Sequence, residues 1–93
     1  MDKSDIMKEV HAELKKRRLV RLQSDTKDIV DVVFETMFHN LAKGRDVKLR
    51  GFGNFSVSPL EFTNVADGSP GTRMVIRFKA SKVLKDKLNE KLR

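Results

Sequence analysis

The 93-residue chain contains no cysteine and two histidines, so disulfide bonds and thiolate metal sites are excluded. No wholly apolar run is long enough to cross a bilayer, and the first residues do not resemble a signal peptide. His11 and His39 fall on different predicted helices without an acidic partner at metal-ligand spacing, and no catalytic triad, phosphate-binding loop or dinucleotide fingerprint occurs. These absences predict one soluble cytoplasmic domain, residues 1–93, that is no enzyme and takes no metal, cofactor, membrane or small-molecule substrate.

The positive charge is concentrated in the second half of the chain. The net charge is +7, with a pI near 10.0. Residues 1–46 hold ten Lys/Arg against nine Asp/Glu, whereas residues 47–93 hold ten against four. We therefore expect a helical scaffold and dimerisation part over residues 1–46, and a part that meets a polyanion over residues 47–93. An acidic protein is an alternative polyanionic partner, and phosphate contacts alone do not separate DNA from RNA.

The first half predicts two amphipathic helices. Ser4 is a candidate cap for the first helix, which carries an apolar stripe and ends in the basic run KKRR, typical of a solvated helix end. The second helix is expected over residues 26–43, with Gly44 after its end. Its apolar residues, Phe34 and Phe38 among them, cover more than one face. A chain this short has little else to bury them against, so the pattern indicates a dimer.

The second half predicts a β-hairpin followed by a helix. The segment Gly51-Phe52-Gly53 indicates a tight backbone turn beside a buried aromatic residue, and a turn-rich stretch occupies residues 64–72. On the return strand, alternation places Arg73 and Arg77 on one face with Val75, and Met74, Ile76 and Phe78 on the other. Ser81 is the expected cap of the last helix.

Two segments carry a resemblance to a known family. Residues 51–55, GFGNF, and residues 78–86, FKASKVLKD, resemble in sequence and in order the HU/IHF family of bacterial histone-like DNA-binding proteins. The resemblance implies an α+β fold with two N-terminal helices, a small antiparallel β-sheet with a protruding hairpin arm, and a C-terminal helix. It also implies an intertwined homodimer, or a heterodimer with a paralogue, whose arms follow the minor groove of double-stranded DNA. The implied function is largely non-specific, nucleoid-associated DNA bending or compaction.

The arm departs from the family pattern at its tip. Ser69-Pro70-Gly71-Thr72-Arg73 keeps only part of the tip motif in which a proline inserts between base pairs, and the arm is shorter than usual. Symmetry of the hairpin would place the tip near Ala66 and Asp67, leaving Pro70 as a possible DNA wedge or as a turn proline. An arm without a working wedge predicts weaker kinking, and a variant that coats or bridges DNA is the alternative function.

The candidate site residues are cations of the second half together with one lysine near the start. The expected DNA contacts are Arg73, Arg77, Lys48, Arg50, Lys79, Lys82, Lys85 and Lys3. The expected core or dimer-interface residues are Phe34, Phe38, Phe52, Phe55 and Phe78. Phe62 is assigned to neither group, because it lies on the arm and could be exposed. Phosphate neutralisation would supply most of the affinity, and DNA deformability would supply what specificity there is.

Overall fold

The computed structural model describes residues 1–92, apart from the side chain of Lys91, and has the expected α+β architecture. The elements, in chain order, are α1 (Lys3–Lys16), α2 (Gln23–Ala42), β1 (Val47–Leu49), β2 (Gly53–Thr63), β3 (Pro70–Ala80), α3 (Lys82–Asn89) and a 3-10 turn (Glu90–Leu92). The strands form one antiparallel sheet in the order β1-β2-β3. None of the helices in residues 1–92 combines the length and the apolar character needed to cross a membrane.

The chain forms two compact units, which divide within α2. The first unit, Met1–Met37, holds α1 and most of α2. Thr26 and Val30 of α2 are buried there, and His11 Nδ1 lies 2.7 Å from the Thr26 hydroxyl oxygen. His11 of α1 is therefore packed against α2. The second unit begins at Phe38 and holds the sheet and α3.

The starts of α1 and α2 differ from the sequence-based expectation, whereas the predicted end of α2 is confirmed. Asp2, not Ser4, caps α1: its side chain accepts a hydrogen bond from the Asp5 N–H, and the Asp5 carboxylate accepts one from the Asp2 N–H. Helix α2 begins at Gln23, three residues before the expected start at residue 26, because the Leu22 carbonyl already accepts the N–H groups of Asp25 and Thr26. Gly44, with a φ of 80°, follows the end of α2 as predicted.

The β2–β3 ribbon extends well beyond β1 and forms the predicted arm. The short strand β1 pairs only with residues 53–55 of β2, whereas β2 and β3 remain paired from Gly53↔Ala80 to Thr63↔Pro70. Pro59 is accommodated in β2 because it lies past the end of β1, where one edge of the strand is open. The loop at residues 64–69 is closed by a 2.7 Å hydrogen bond from the Asn64 N–H to the Ser69 carbonyl.

A single chain buries very little apolar surface. Val30, at 6% exposure, is the one apolar side chain that counts as buried within residues 1–92. Phe38 on α2 is 67% exposed, and Met74 and Ile76 on β3 are similarly open. The expected interface residue Phe34 is also exposed, so these side chains do not find a core within their own chain.

Candidate nucleic-acid interface

The strand register separates the sheet into an apolar face and a basic face. Cross-strand partners share a face, so the pairs Phe55–Phe78 and Val57–Ile76 lie together on the apolar side. On the other side, Lys48 and Lys79 flank Asn54 across the three strands, and Arg77 pairs with Ser56 and Arg73 with Leu60. We call Lys48, Lys79, Arg77 and Arg73 the basic face. The predicted alternation of β3, with both arginines opposite Met74, Ile76 and Phe78, is confirmed.

A cleft at the start of α3 gathers further predicted cations. The cleft has a volume of about 560 Å³ and lies within the second unit. Its charged lining is Arg50, Lys79, Lys82, Lys85 and the single acidic residue Asp86. Lys79 belongs to the basic face as well, so the two groups of cations are continuous along β3 and into α3. The structure thus brings together seven of the eight predicted DNA contacts in one unit.

The helix terminus in this cleft adds to its attraction for anions. Ser81 caps α3 as predicted, since its hydroxyl accepts a hydrogen bond of 3.1 Å from the Leu84 N–H. The first turn of α3 contains Lys82 and Lys85 but no acidic residue. Lysines at a helix N-terminus are opposed by the helix dipole, whereas a phosphate placed there is attracted both by the dipole and by the lysines. The cleft is therefore suited to a phosphate group.

The Gly51-Phe52-Gly53 segment forms the root of the arm and packs against aromatic rings. Gly51 has a φ of 80°, which a glycine adopts readily. Phe52 and Phe55 both contact Phe78, with ring centroids 5.6 and 4.7 Å apart. Gly53 is buried beneath Phe78, so the backbone could not approach this closely if residue 53 carried a side chain. The root thus holds the start of β2 against the end of β3.

Replacing Gly53 with alanine should destabilise the protein. A Cβ at residue 53 would lie 2.6 Å from two ring atoms of Phe78 and 2.7 Å from the Lys79 carbonyl oxygen, and the latter belongs to the paired backbone. Forcing these atoms apart should lower the free energy of unfolding by about 1–3 kcal/mol, measured by urea denaturation. Asn54→Ala, at the next and exposed position, is the control and should change it by less than about 0.5 kcal/mol. Equal stability of Gly53→Ala and the wild type would show that the root is not tightly packed.

Lys3 is the predicted contact that lies apart from this group. It belongs to the first unit, where it forms an ion pair with Asp31, and Lys27 lies 3.5 Å from the same carboxylate. The hydrogen bond from Lys3 lowers the pKa of Asp31 below its ordinary value. A phosphate would therefore have to compete with Asp31 for Lys3.

The outer part of the arm lacks positive charge, a feature that the motif comparison missed. Residues 51–72 contain no lysine or arginine but do contain Glu61 and Asp67. The Ser69 hydroxyl and N–H both donate hydrogen bonds to Asp67, and these bonds lower the pKa of Asp67 and keep it charged. Counting charges along the hairpin would have revealed this. Arg73, three residue pairs from the distal end of the ribbon, is therefore the outermost cation of the arm.

Two apolar residues occupy the distal end of the arm on opposite faces. Pro70 opens β3 opposite Thr63, on the side of the sheet that carries Phe55 and Phe78. Phe62 lies on the basic side, over its cross-strand partner Gly71, and remains 44% exposed. The turn itself lies at residues 65–67, close to the tip expected from symmetry, and Pro70 lies outside it.

A small α+β unit with one basic sheet face and a helix N-terminus suited to phosphate has the electrostatic character of a nucleic-acid-binding protein. Residues 1–89 match the family model described as bacterial DNA-binding protein. The chain is 42% identical over 73 residues to DNA-binding protein HRm of Rhizobium meliloti, covering 72% of this chain and 81% of that protein. It is 39% identical over 85 residues to the integration host factor alpha subunit of Bordetella avium, covering 85% and 73% of the two chains.

Solved structures show the same fold. A point variant of HU from Thermotoga maritima matches with a TM-score of 0.66 and 32% identity, covering 95% of this chain and 99% of that one. Anabaena HU, solved in a co-crystal with DNA, matches with a TM-score of 0.64 at 21% identity, covering 95% and 97% of the two chains. At this level of identity the match shows that the two chains share a fold. The chain therefore belongs to the HU/IHF family of bacterial DNA-binding proteins, which are architectural proteins and not enzymes.

Proposed function

We propose that the protein binds double-stranded DNA as a dimer, largely without sequence specificity, and acts as a nucleoid-associated architectural protein. The observation that carries this proposal is the continuity of the basic face with the α3 cleft. Such an array neutralises phosphates, which are the same in every sequence, and phosphate contacts carry no base information. Any preference for particular sites would come from the ease with which the DNA deforms.

The exposed apolar surface supports the dimer. Phe38, Val32 and Val33 of α2 and Met74 and Ile76 of β3 are exposed, and a 93-residue chain with one buried apolar side chain in its described part lacks a sufficient core. A second copy would cover these surfaces. The relatives named above fit this proposal, because integration host factor alpha is by its name a subunit. The choice of a homodimer over a heterodimer is part of the proposal.

We further infer that Phe62 is the apolar contact of the arm with DNA. It lies on the same side of the ribbon as Arg73 and Arg77, whereas Pro70 lies on the other side. An apolar side chain inserted between base steps in the minor groove unstacks them and bends the duplex. Because no cation flanks Phe62 farther out along the arm, the bend should be modest and limited to DNA that is already flexible.

Gel-shift titrations on nicked and intact duplexes of the same sequence would test bending. The wild type should prefer the nicked duplex by at least about tenfold, because a nick lowers the cost of deformation. Equal affinities would instead indicate coating or bridging without bending. If the wild type bound neither duplex at low salt, the proposal that it binds DNA would be refuted.

Removing Phe62 should reduce this preference. Phe62→Ala should lower the ratio of nicked to intact affinity by about tenfold, the usual loss for one aromatic–base contact, whereas Pro70→Ala should change it little. Energy transfer between dyes at the DNA ends would report the bend directly. Gly71→Ala is a second probe, since a Cβ there would meet the Phe62 ring and displace it. A larger loss of bending with Pro70→Ala than with Phe62→Ala would reassign the wedge to the proline.

A further inference from the structure

Helix α1 and helix α2 end in the same hydrogen-bonded motif with different residues at its critical position. After α2, the Gly44 N–H bonds to the Leu41 carbonyl and the Arg45 N–H to the Asn40 carbonyl, both at 3.0 Å. After α1, the Arg18 N–H bonds to the Lys15 carbonyl and the Leu19 N–H to the Leu14 carbonyl, at 3.0 and 2.9 Å. Both are Schellman motifs, in which the equivalent residue adopts a positive φ. Gly44 has a φ of 80° and Arg18 a φ of 59°.

An arginine in this conformation is unfavourable for the fold. Its Cβ crowds the backbone in the left-handed region, a conflict that glycine avoids. Arg18 is the one non-glycine residue with positive φ in the part of the chain that the structure describes. The attraction of cations to a helix C-terminus does not require it, because Lys15 and Lys16 already supply charge to the last turn of α1. The strained position therefore retains a side chain that folding does not need.

The neighbouring cations converge on one depression. Lys15, Arg18 and Arg21 line an open depression of about 390 Å³, together with Leu19 and Val20. Arg17 does not line this depression; its Nε lies 2.9 Å from the Glu13 Oε1 atom in an ion pair. Within residues 1–92, no carboxylate pairs with Lys15, Arg18 or Arg21. These three exposed cations line one depression without an acidic partner, an arrangement that favours the binding of an anion.

We propose that Lys15, Arg18 and Arg21, here called the α1 cluster, form a second site for the phosphate backbone of double-stranded DNA. The site takes any segment of duplex, because its proposed contacts are to phosphates, which carry no sequence information. It belongs to the first compact unit, whereas the basic face and the α3 cleft belong to the second. Each protein dimer would thus carry extra phosphate contacts beyond those of the arms. This inference rests on the proposed function, since DNA is the ligand of both sites.

Arg18→Gly tests the proposal because it should improve the fold and weaken binding together. Relief of the left-handed strain should raise the midpoint of thermal unfolding by roughly 4 °C. Loss of one cation per chain, two per dimer, should make the log–log salt dependence of the DNA affinity shallower by about 1.8. The affinity at about 0.1 M salt should fall about tenfold. Fluorescence anisotropy with a labelled duplex long enough to extend beyond the arms is the binding measurement.

Two further variants distinguish the effect of the charge at residue 18 from the effect of backbone strain and from the effect of the protein's overall charge. Arg18→Lys keeps the charge and the strain, so it should retain the wild-type salt slope and the wild-type unfolding midpoint. Lys8→Gln removes one charge from the exposed surface of α1 outside the cluster and should leave both quantities unchanged.

The outcomes that would overturn the α1 cluster differ from those that would overturn DNA binding. An unchanged salt slope for Arg18→Gly, or an equal change for Lys8→Gln, would remove the cluster from the DNA contacts. A lower unfolding midpoint for Arg18→Gly would assign Arg18 a structural role and also contradict the proposal. Failure of the wild type to show salt-dependent binding would refute the proposed function itself, whatever the variants do.

Discussion

Replacing Arg73 and Arg77 together with alanine should weaken binding to double-stranded DNA by on the order of 100-fold at about 0.1 M salt. Both arginines are exposed and lie on the basic face. The double variant removes four cations from a dimer, so the log–log salt slope should become shallower by about 3.6. The loss should be similar for unrelated DNA sequences, because phosphate contacts do not distinguish them. Anisotropy titrations at several salt concentrations would measure both quantities.

A matched loss of charge outside the basic face provides the control. Lys8→Ala combined with Lys87→Ala removes the same net charge from α1 and from a lysine of α3 that is paired with Glu90. This control should lose less than about threefold in affinity, since its cations lie outside the proposed contacts. The helical circular dichroism of both double variants should match that of the wild type. A similar loss of DNA affinity in both double variants would mean that overall charge, rather than the basic face, determines affinity. Lost helicity in the arginine variant would show that those arginines have a structural role.

Phe38→Asp should abolish the dimer and, with it, the folded state. In a single chain Phe38 is 67% exposed, so a charge there would cost little if the protein were a monomer. Buried against a partner, an unpaired carboxylate and a lost aromatic ring should together cost about 4 kcal/mol or more per chain, which is a large part of the stability of a small domain. Sedimentation velocity and circular dichroism at several protein concentrations would show the loss.

Val65→Asp is the matched control for this test. Val65 is 101% exposed in the turn of the arm, so the same substitution there should leave the dimer and its unfolding midpoint unchanged. The wild type should also unfold at a higher temperature as its concentration rises, as expected when dissociation accompanies unfolding. A folded, monomeric Phe38→Asp protein would show that one chain is sufficient and would contradict the proposed dimer.

The sequence predicts well those features that depend on local pattern. The alternation of Arg73, Met74 and their neighbours placed the arginines on one face, because successive strand residues point to opposite sides. Gly44 and Ser81 marked a helix end and a helix start, because each meets a specific backbone requirement. The two family-like segments then fixed the α+β class, which the comparisons confirmed.

Features that depend on which of several possible partners a residue contacts could not be predicted in the same way. Both Asp2 and Ser4 have side chains that can cap α1, and the reciprocal hydrogen bonds between Asp2 and Asp5 select Asp2. The side of the arm on which Phe62 lies follows from the register with β3, which the imperfect alternation of β2 does not specify. The ion pair of Lys3 with Asp31 joins two helices and leaves no trace in local composition.

The open edge of β2 has a consequence for how copies of the protein coexist at high density. Beyond β1, the Val57 N–H on this edge donates a hydrogen bond of 3.0 Å to the Asp46 carboxylate, and the next N–H on the same edge is missing because residue 59 is proline. Glu61 then adds a charge. Another strand cannot pair with this edge, because its first backbone N–H donors are occupied or missing and because it carries a charge. Neighbouring molecules crowded together on DNA should therefore stay separate rather than pair into continuous sheets or fibrils.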